Sequence, residues 1–375
     1  MLNSAFFLWI VFGILSISLI IQLIYYLNYY RATVRYEGEN TDNSKQPSVS
    51  VIICSRNEEK NLREFLPAIL EQDYPDYEVI VVNDCSEDNT FEVIGEYMQK
   101  YPHLKVSNIA KDPKFTHFKK FALFIGIKAA KNDILLFTDA DCKPESNKWI
   151  SSMVRNFTDS TEIVLGYGGY MDTEGLLNKY IRYDTVTIAL QYLGMAIKGH
   201  AYMGVGRNLA YRRSLFFKSN GFGSHSSVIS GDDDLFVNEN ATDSNVAIEI
   251  SPESFTRSVP CSTLKEWIAQ KRRHFLTAPL YKSGDKFLLF LEPFSRILFY
   301  ASFIVLLCFL FQWKIVLGLF LIRFIVQLVI FIKAEQTFDE EGLVVPSLFF
   351  DILSPIINGV IYITNGNRKK QNKWQ

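Results

Sequence analysis

Apolar positions crowd both ends of the chain, while charge, turn residues and alternating patterns fill its middle. From Ala5 to Leu27 the run carries no charge, and at about 1.5 Å per helical residue it can cross roughly 30 Å of hydrocarbon. A cleavable signal peptide is the rival reading. No basic segment precedes the run, it exceeds an ordinary h-region, and Tyr25, Tyr26, Tyr29, Tyr30, Arg31 and Arg35 follow it, which favours a permanent anchor with a membrane edge at the tyrosines. Near the other end, Phe294 to Phe311 and Ile315 to Ile332 are of spanning length and are joined only by Gln312, Trp313 and Lys314, as in a transmembrane hairpin. A third stretch, Leu343 to Thr364, is interrupted by Pro346, Asp351, Pro355 and Gly359 and ends in the basic tail Asn367-Arg368-Lys369-Lys370. A full crossing would put that tail outside, against the positive-inside tendency, so a broken, re-entrant or interfacial segment is expected. Arg323 falls mid-span, where a charge is costly and usually paired. Asp351 is a candidate partner, and a water-filled groove is the alternative.

Between about 45 and 285 the pattern changes to short β-branched runs alternating with amphipathic stretches. It predicts strands at Ser48–Ile53, Tyr77–Val82, Leu104–Ile109 and Ile134–Thr138, with helices over Glu58–Leu70, Asn89–Lys100 and Phe118–Ala130. Strand, helix, strand order with right-handed crossovers gives an α/β fold with a mostly parallel sheet flanked by helices. Ligands of such sheets bind beyond the carboxyl ends of the strands. Polar residues collect there: Cys54-Ser55-Arg56-Asn57-Glu58-Glu59 after the first run, Asn83-Asp84-Cys85-Ser86-Glu87-Asp88 after the second, and Asp139-Ala140-Asp141-Cys142 after the fourth. These three tips are expected to share one edge. The Asp139/Asp141 pair offers hard oxygen ligands to a divalent cation, with a diphosphate completing the shell; by itself such a pair is also an ordinary solvated turn.

Charge and cysteine usage narrow the function classes. The formal net charge of −1 gives no electrostatic case for nucleic acid. Five cysteines without C-x-x-C spacing suggest neither a zinc ribbon nor a disulfide framework, and read as reduced cytosolic thiols.

From Pro47 to about Phe275 the chain resembles the family 2 glycosyltransferases, which have a GT-A-type, Rossmann-like nucleotide-binding domain. Ser48 to Glu59 resembles the opening strand and its N-E turn, with Cys54 where proline is common; Val79 to Asp88 resembles the base-binding loop, with Asn83 replacing the first aspartate and Asp84 retained. His117-Phe118-Lys119-Lys120-Phe121-Ala122-Leu123 is similar to the G-K-x-x-A-L segment, and Asp139-Ala140-Asp141 to the D-x-D. Gly206 to Arg213 resembles the segment lining the acceptor side, and Ser230-Gly231-Asp232-Asp233-Asp234-Leu235 the catalytic T-E-D or G-D-D. Asp232 is the best match to the base and Asp233 the runner-up. Gln270-Lys271-Arg272-Arg273-His274 resembles Q-x-x-R-W, with His274 in place of tryptophan.

The resemblance implies an inverting transfer from a nucleotide-sugar donor, of UDP type. Asp141 would bind Mg²⁺ or Mn²⁺, with Asp139 sharing the metal or holding the ribose. Arg56, Glu58, Asp84, Lys119, Gln270 and Arg273 would hold the donor: Asp84 at the uracil imide, Arg56 stacked on the ring, Arg273 at the diphosphate. Plainer readings stand beside these: Arg56 in a surface salt bridge, the aspartates at a helix N-terminus, and Lys271 to Arg273 as a basic patch against lipid headgroups. Gln270 and Arg273, three apart on a helix opened by Ser262 or Thr263, share one face.

The expected organisation is an anchor over residues 1–30, a linker over 31–46, a cytoplasmic GT-A-type domain over 47–285 and a membrane region over 286–375, in the plasma (inner) membrane. The acceptor is expected to be lipid-linked or a glycan, with membrane lipids as further partners. Processive polysaccharide synthesis is the alternative, and a catalytically silent nucleotide-sugar-binding partner of a synthase is another.

Overall fold

The computed structural model of the chain describes residues 2–38, 46–110 and 119–365. His117, Phe118 and the tail Asn367 to Lys370 lie outside the described residues. Helix α1 (Leu2–Ile24) runs through a π-helical segment (Tyr25–Tyr30) into the short α2 (Arg31–Thr33). Then follow β1 (Val49–Ser55), α3 (Glu59–Leu70), β2 (Tyr77–Asp84), α4 (Thr90–Met98), β3 (Leu104–Ile109), α5 (Lys119–Ala129) and β4 (Ile134–Asp139). The second half contributes β5 (Cys142–Pro144), α6 (Trp149–Val154), β6 (Ile163–Gly166), β7 (Gly168–Tyr170), α7 (Leu176–Ile197), β8 (Leu209–Arg212), α8 (Arg213–Lys218) and α9 (Asp234–Asn240). The chain continues through β9 (Val246–Glu249), β10 (Thr256–Ser258), α10 (Leu264–His274), α11 (Ser283–Cys308), α12 (Trp313–Phe338) and α13 (Val344–Asn365).

The main sheet has the order β3-β2-β1-β4-β8-β6-β9. β1 pairs in parallel with both β2 and β4, and β8 is antiparallel to its two neighbours. A strand buried on both faces reads as a continuous apolar run, which is why Val49–Ser55 shows no alternation. Its side chains still divide by the period of two. Val49, Val51 and Ile53 pack with Leu62, Leu66 and Ile69 of α3 on one face, while Ile52 and Cys54 pack with Ala122, Leu123 and Ile127 of α5 on the other. In α3, Leu62, Phe65, Leu66, Ile69 and Leu70 make the stripe that covers the sheet. A second, three-stranded sheet, β5-β10-β7, stands beside the first.

Among the described residues, four helical segments are long and apolar enough to cross a membrane: Ala5–Val34, Ser283–Cys308, Trp313–Phe338 and Val344–Asn365. Among them lies a buried polar network. Arg323 bonds the Asp351 carboxylate at 2.8 Å, and Arg296 reaches both Glu292 (2.6 Å) and Asp351 (3.2 Å). Arg323 is thus paired rather than facing a watery groove. The tyrosines after α1 differ from expectation: Tyr25, Tyr26 and Tyr30 are buried, with Tyr25 donating to the Leu288 carbonyl at 2.6 Å, so they pack inside the assembly instead of fringing it. Close approach there needs a glycine, because a Cβ on Gly194 of α7 would stand 2.2 Å from the Tyr29 carbonyl oxygen.

The stretch expected to be broken, re-entrant or interfacial is one continuous helix, α13, with Pro355 accommodated inside it, so it is not broken. Its first turn is tied to α12, since the Val344 N–H donates to Glu335 at 2.8 Å. Farther along, Phe350 meets Tyr180 of α7 (5.0 Å between ring centres), Tyr362 meets Phe275, and Asn365 donates to the Arg272 carbonyl of α10 at 2.9 Å.

Between α12 and α13, Glu340 enters the sheet domain with only 1% of its side chain exposed. It pairs with Arg182 (2.7 Å) and Arg257 and accepts from the Tyr167 hydroxyl (2.8 Å). Arg257 sits on β10, whose other neighbour is β5, the strand that begins directly after Asp141.

Candidate active site

The tips of β1, β2 and β4 are adjacent, as the central position of β1 requires. The first two tip loops are laced together. The Asn57 N–H donates to Ser86 Oγ (3.0 Å), the Glu87 N–H to Asn57 Oδ1 (2.8 Å), and the Glu58 N–H to Thr90 Oγ1 (2.8 Å). Asn57 and Cys85 carry positive φ (57° and 55°), a costly backbone held by this lacing. Arg56 is half-buried on this rim, and Asp84 is buried at the end of β2.

Asp139 closes β4, and Asp141 follows it after Ala140. One ligand atom from each of Asp139, Asp141 and Cys142 falls within 4.8 Å of the others, a grouping able to hold a metal ion. Burial, then the charge of Asp139, pushes the Asp141 carboxyl up to about 6. Burial raises Glu58 further, to about 7, with Asp141, Asp139 and Asp88 adding to the shift while the Asn61 amide bond opposes it. Burial would raise Asp139 too, but the Lys119 ammonium at 2.6 Å wins and holds it below its ordinary value. Burial and the charge of Asp139 outweigh Arg207 and Lys119 at Asp141, and the paired carboxylates fit a divalent cation on oxygen ligands.

Lys119 also reaches Asp232, at 3.6 Å. Asp139, Lys119, Asp232 and Asp233 line one cavity together with Cys54, Thr138 and Gly206. The three aspartates follow Gly231, whose φ of +102° makes the turn and favours glycine. Their fates differ. Asp234 is buried, with Oδ2 accepting from the Thr277 (2.5 Å) and Tyr281 (2.6 Å) hydroxyls. Asp233 is the N-cap of α9, accepting from the Asp234 N–H (2.8 Å) and, across the cavity, from the Gly206 N–H (2.7 Å). Burial, then the charges of Asp232 and Asp234, pushes the Asp233 carboxyl up to about 7. The turn is thus a helix N-terminus and, at the same time, a wall of the cavity that it shares with Asp139 and Lys119.

α10 opens with a capping box between Thr263 and Glu266. Lys271 is buried in an ion pair with Asp184 of α7, so it is not part of a lipid-facing basic patch. Gln270 points toward Tyr170, whose hydroxyl lies 3.5 Å away and also accepts from Arg207 at 3.1 Å. Arg207 stacks on the Tyr170 ring, 4.6 Å from its centre. Arg273 is half-exposed on the same helix, one turn after Gln270. The Gly206 to Arg213 motif does not mark the Arg207–Tyr170 stack, and the D-x-D pattern does not mark Cys142 as a third ligand beside the acidic pair. Adjacency to Asp141 was the available signal for Cys142; nothing in the sequence marks Tyr170.

The family model described as "Glycosyl transferase family 2" matches residues 50–218. A "Probable glycosyltransferase YdaM" of Bacillus subtilis is 27% identical over 285 residues, 72% of this chain and 65% of that protein. "Glycosyltransferase AglE" of Haloferax volcanii is 32% identical over 125 residues, 33% of this chain and 40% of that one. The match thus spans less than two thirds of either relative's length. Among solved structures, a mannosyltransferase of Pyrobaculum calidifontis in complex with GDP-Man and Mn²⁺ superposes with a TM-score of 0.63 at 17% identity, covering 97% of this chain and 99% of that one, a likeness of fold. Residues 50–218 thus match the glycosyl transferase family 2 model, and the chain shares its fold with the mannosyltransferase structure.

Proposed function

We propose that the chain transfers a glycosyl group from a nucleoside-diphosphate sugar, a UDP-sugar first, to a hydroxyl of a lipid-linked acceptor, with inversion, at the cytoplasmic face of the inner membrane. Residues 47–285 are taken as the catalytic domain. The observation that carries the reading is Lys119, which stands between Asp139 and Asp232 and so opens the β4 tip and the 231–234 turn onto one cavity.

Asp141, with Asp139, would hold Mg²⁺ or Mn²⁺, which when bound neutralises charge developing on the leaving diphosphate. Lys119 and Arg273 offer further positive charge to the diphosphate. Asp84 accepts from the base, with Arg56 and Glu58 on the rim beside it, and Gln270 faces donor or acceptor. For the acceptor proton, geometry favours Asp233 over Asp232. Asp232 is engaged with Lys119, whereas two backbone N–H groups aim the Asp233 carboxylate, and burial, then its aspartate neighbours, poise it near neutrality, as general bases require. The four candidate spans and the contact of α13 with α10 support an acceptor delivered from the membrane.

The test is a screen of UDP- and GDP-sugars with Mn²⁺ or Mg²⁺ on the full chain, read by thermal stabilisation and donor hydrolysis. A donor at a hundredfold excess over its Kd stabilises by about 2.7 kcal/mol, and Asp141→Asn is expected to abolish the metal-dependent part. If no nucleotide-sugar stabilises the protein with either metal, the proposal fails. A ladder of products instead of a single addition would make the enzyme processive.

A further inference from the structure

The turn that carries Asp232 and Asp233 is not held by the sheet alone. Its third aspartate, Asp234, receives the hydroxyls of Thr277 and Tyr281, at 2.5 and 2.6 Å, and all three side chains are buried. Both hydroxyls belong to the segment 275–282, which leaves α10 and runs into α11, the first C-terminal helix of spanning length. One turn farther along α9 the tie is repeated. Asn238 donates to Asp285 Oδ2 at 2.7 Å and accepts from the Lys282 N–H at 3.0 Å, and Asp285 lies in the first turn of α11. Tyr281 itself packs on Tyr202, with ring centres 6.0 Å apart, in the loop that ends at Gly206, the N–H donor to Asp233. Helix α9 is therefore bracketed twice by the root of a membrane helix, and its cap by a loop resting on the same root.

We infer that Thr277 and Tyr281 are positioning residues for transfer: acting through Asp234, they set the orientation of the Asp232-Asp233 turn over the donor cavity and join that orientation to the seating of α11. This rests on the reading of the 231–234 turn as the base-bearing element. Neither hydroxyl bonds β1, β2 or β4 of the donor side; Thr277 Oγ1 also bonds the His274 carbonyl at 2.8 Å, at the end of the helix that carries Gln270 and Arg273, so Tyr281→Phe is the variant that separates the two halves of the site. A hydroxyl lost from Asp234 disturbs the base and leaves nucleotide binding intact.

The experiment uses the full chain in lipid nanodiscs, with Thr277→Val, Tyr281→Phe, their double variant and the conservative Thr277→Ser. Three quantities are read: amide hydrogen exchange, affinity for UDP and for GDP with Mn²⁺, and turnover of the donor selected by the screen. Exchange over residues 231–240 is expected to rise about tenfold per hydroxyl removed, the factor for losing one hydrogen bond to a charged group, while β1 to β4 keep their protection. Turnover is expected to fall about tenfold to hundredfold, the cost of a small displacement of a reacting group. Nucleotide affinity stays within about twofold, and Thr277→Ser behaves as the parent. Unchanged exchange at 231–240 overturns the inference. So does unchanged turnover despite raised exchange, and so does a parallel loss of nucleotide affinity and of β1 to β4 protection, which would mark general unfolding. Retained turnover in both Asp232→Asn and Asp233→Asn would instead remove the base reading, with the exchange result still standing by itself.

Discussion

At Asp233 two demands meet in one carboxylate: it caps α9, and it faces the cavity with its affinity for a proton raised to about 7. Below that pH it is protonated and cannot take a proton from an acceptor hydroxyl, so turnover should fall as pH drops through about 7 and level off above it. Asp233→Asn is expected to lower kcat by roughly 10²- to 10⁴-fold and to remove this limb. Asp232→Asn should keep the limb and weaken donor binding, because it alters the charge around Lys119. A pH–kcat profile of the three proteins decides, and a limb that vanishes only in Asp232→Asn reverses the assignment. A second titration sits at Asp141, raised to about 6 by burial and Asp139. Protons compete with the cation there, so Mn²⁺ affinity by calorimetry should fall about tenfold per pH unit below 6, and Asp141→Asn should bind no Mn²⁺ at any pH. Three consecutive aspartates are indistinguishable in the sequence. What separates them is who donates to each, Lys119, Gly206 and the Asp234 N–H, or Thr277 with Tyr281, and those donors come from distant parts of the chain.

Among the elements, legibility followed the range of the contacts that make each one. Strands β1, β2 and β4 and helices α3 to α5 announce themselves because a central parallel strand is apolar on both faces and its covering helix on one stripe, both local properties, while the edge strand β3 shows only its β-branched and apolar positions. The small sheet β5-β10-β7 is silent: Cys142–Pro144, Gly168–Tyr170 and Thr256–Ser258 are three residues each, too short for any period. Glu340 is silent for another reason, since its partners Arg182 and Arg257 lie far back in the sequence and a charged residue after an apolar helix reads as a solvated loop. That clamp should matter to stability. Glu340→Gln removes the buried carboxylate shared by two guanidinium groups, which keep only the more exposed carboxylate partners Asp172 and Glu145, a loss expected to cost about 2–4 kcal/mol. It should appear as an earlier thermal transition and faster proteolysis at residues 339–342, whereas an unchanged transition would mean water reaches the clamp.

For the molecule as a whole, α13 bears on how the sheet domain would meet a bilayer. A helix of 22 residues is about 33 Å long, enough to carry its last residue to the far side of a membrane. Yet its first turn is bound to the end of α12 beside the Glu340 clamp, and its last residue is bound to Arg272 of α10, which belongs with the sheet domain. Between these ends Ser347, Phe350, Asp351, Ser354 and Ile361 are buried, while Val345, Phe349, Ile352, Ile356, Val360 and Ile363 form an exposed apolar stripe. An amphipathic helix so tethered suits the interface plane, stripe toward the acyl chains, and it would bring the lipid surface to α10, with Gln270 and Arg273. In sealed vesicles of a cysteine-free background, Glu341→Cys and Thr364→Cys should therefore both react with an impermeant maleimide from one side, the side of Lys282→Cys. Gln312→Cys, in the turn between α11 and α12, should react only from the other. Labelling of Thr364→Cys together with Gln312→Cys would make α13 a crossing helix, and would remove the membrane surface from the acceptor side of the cleft.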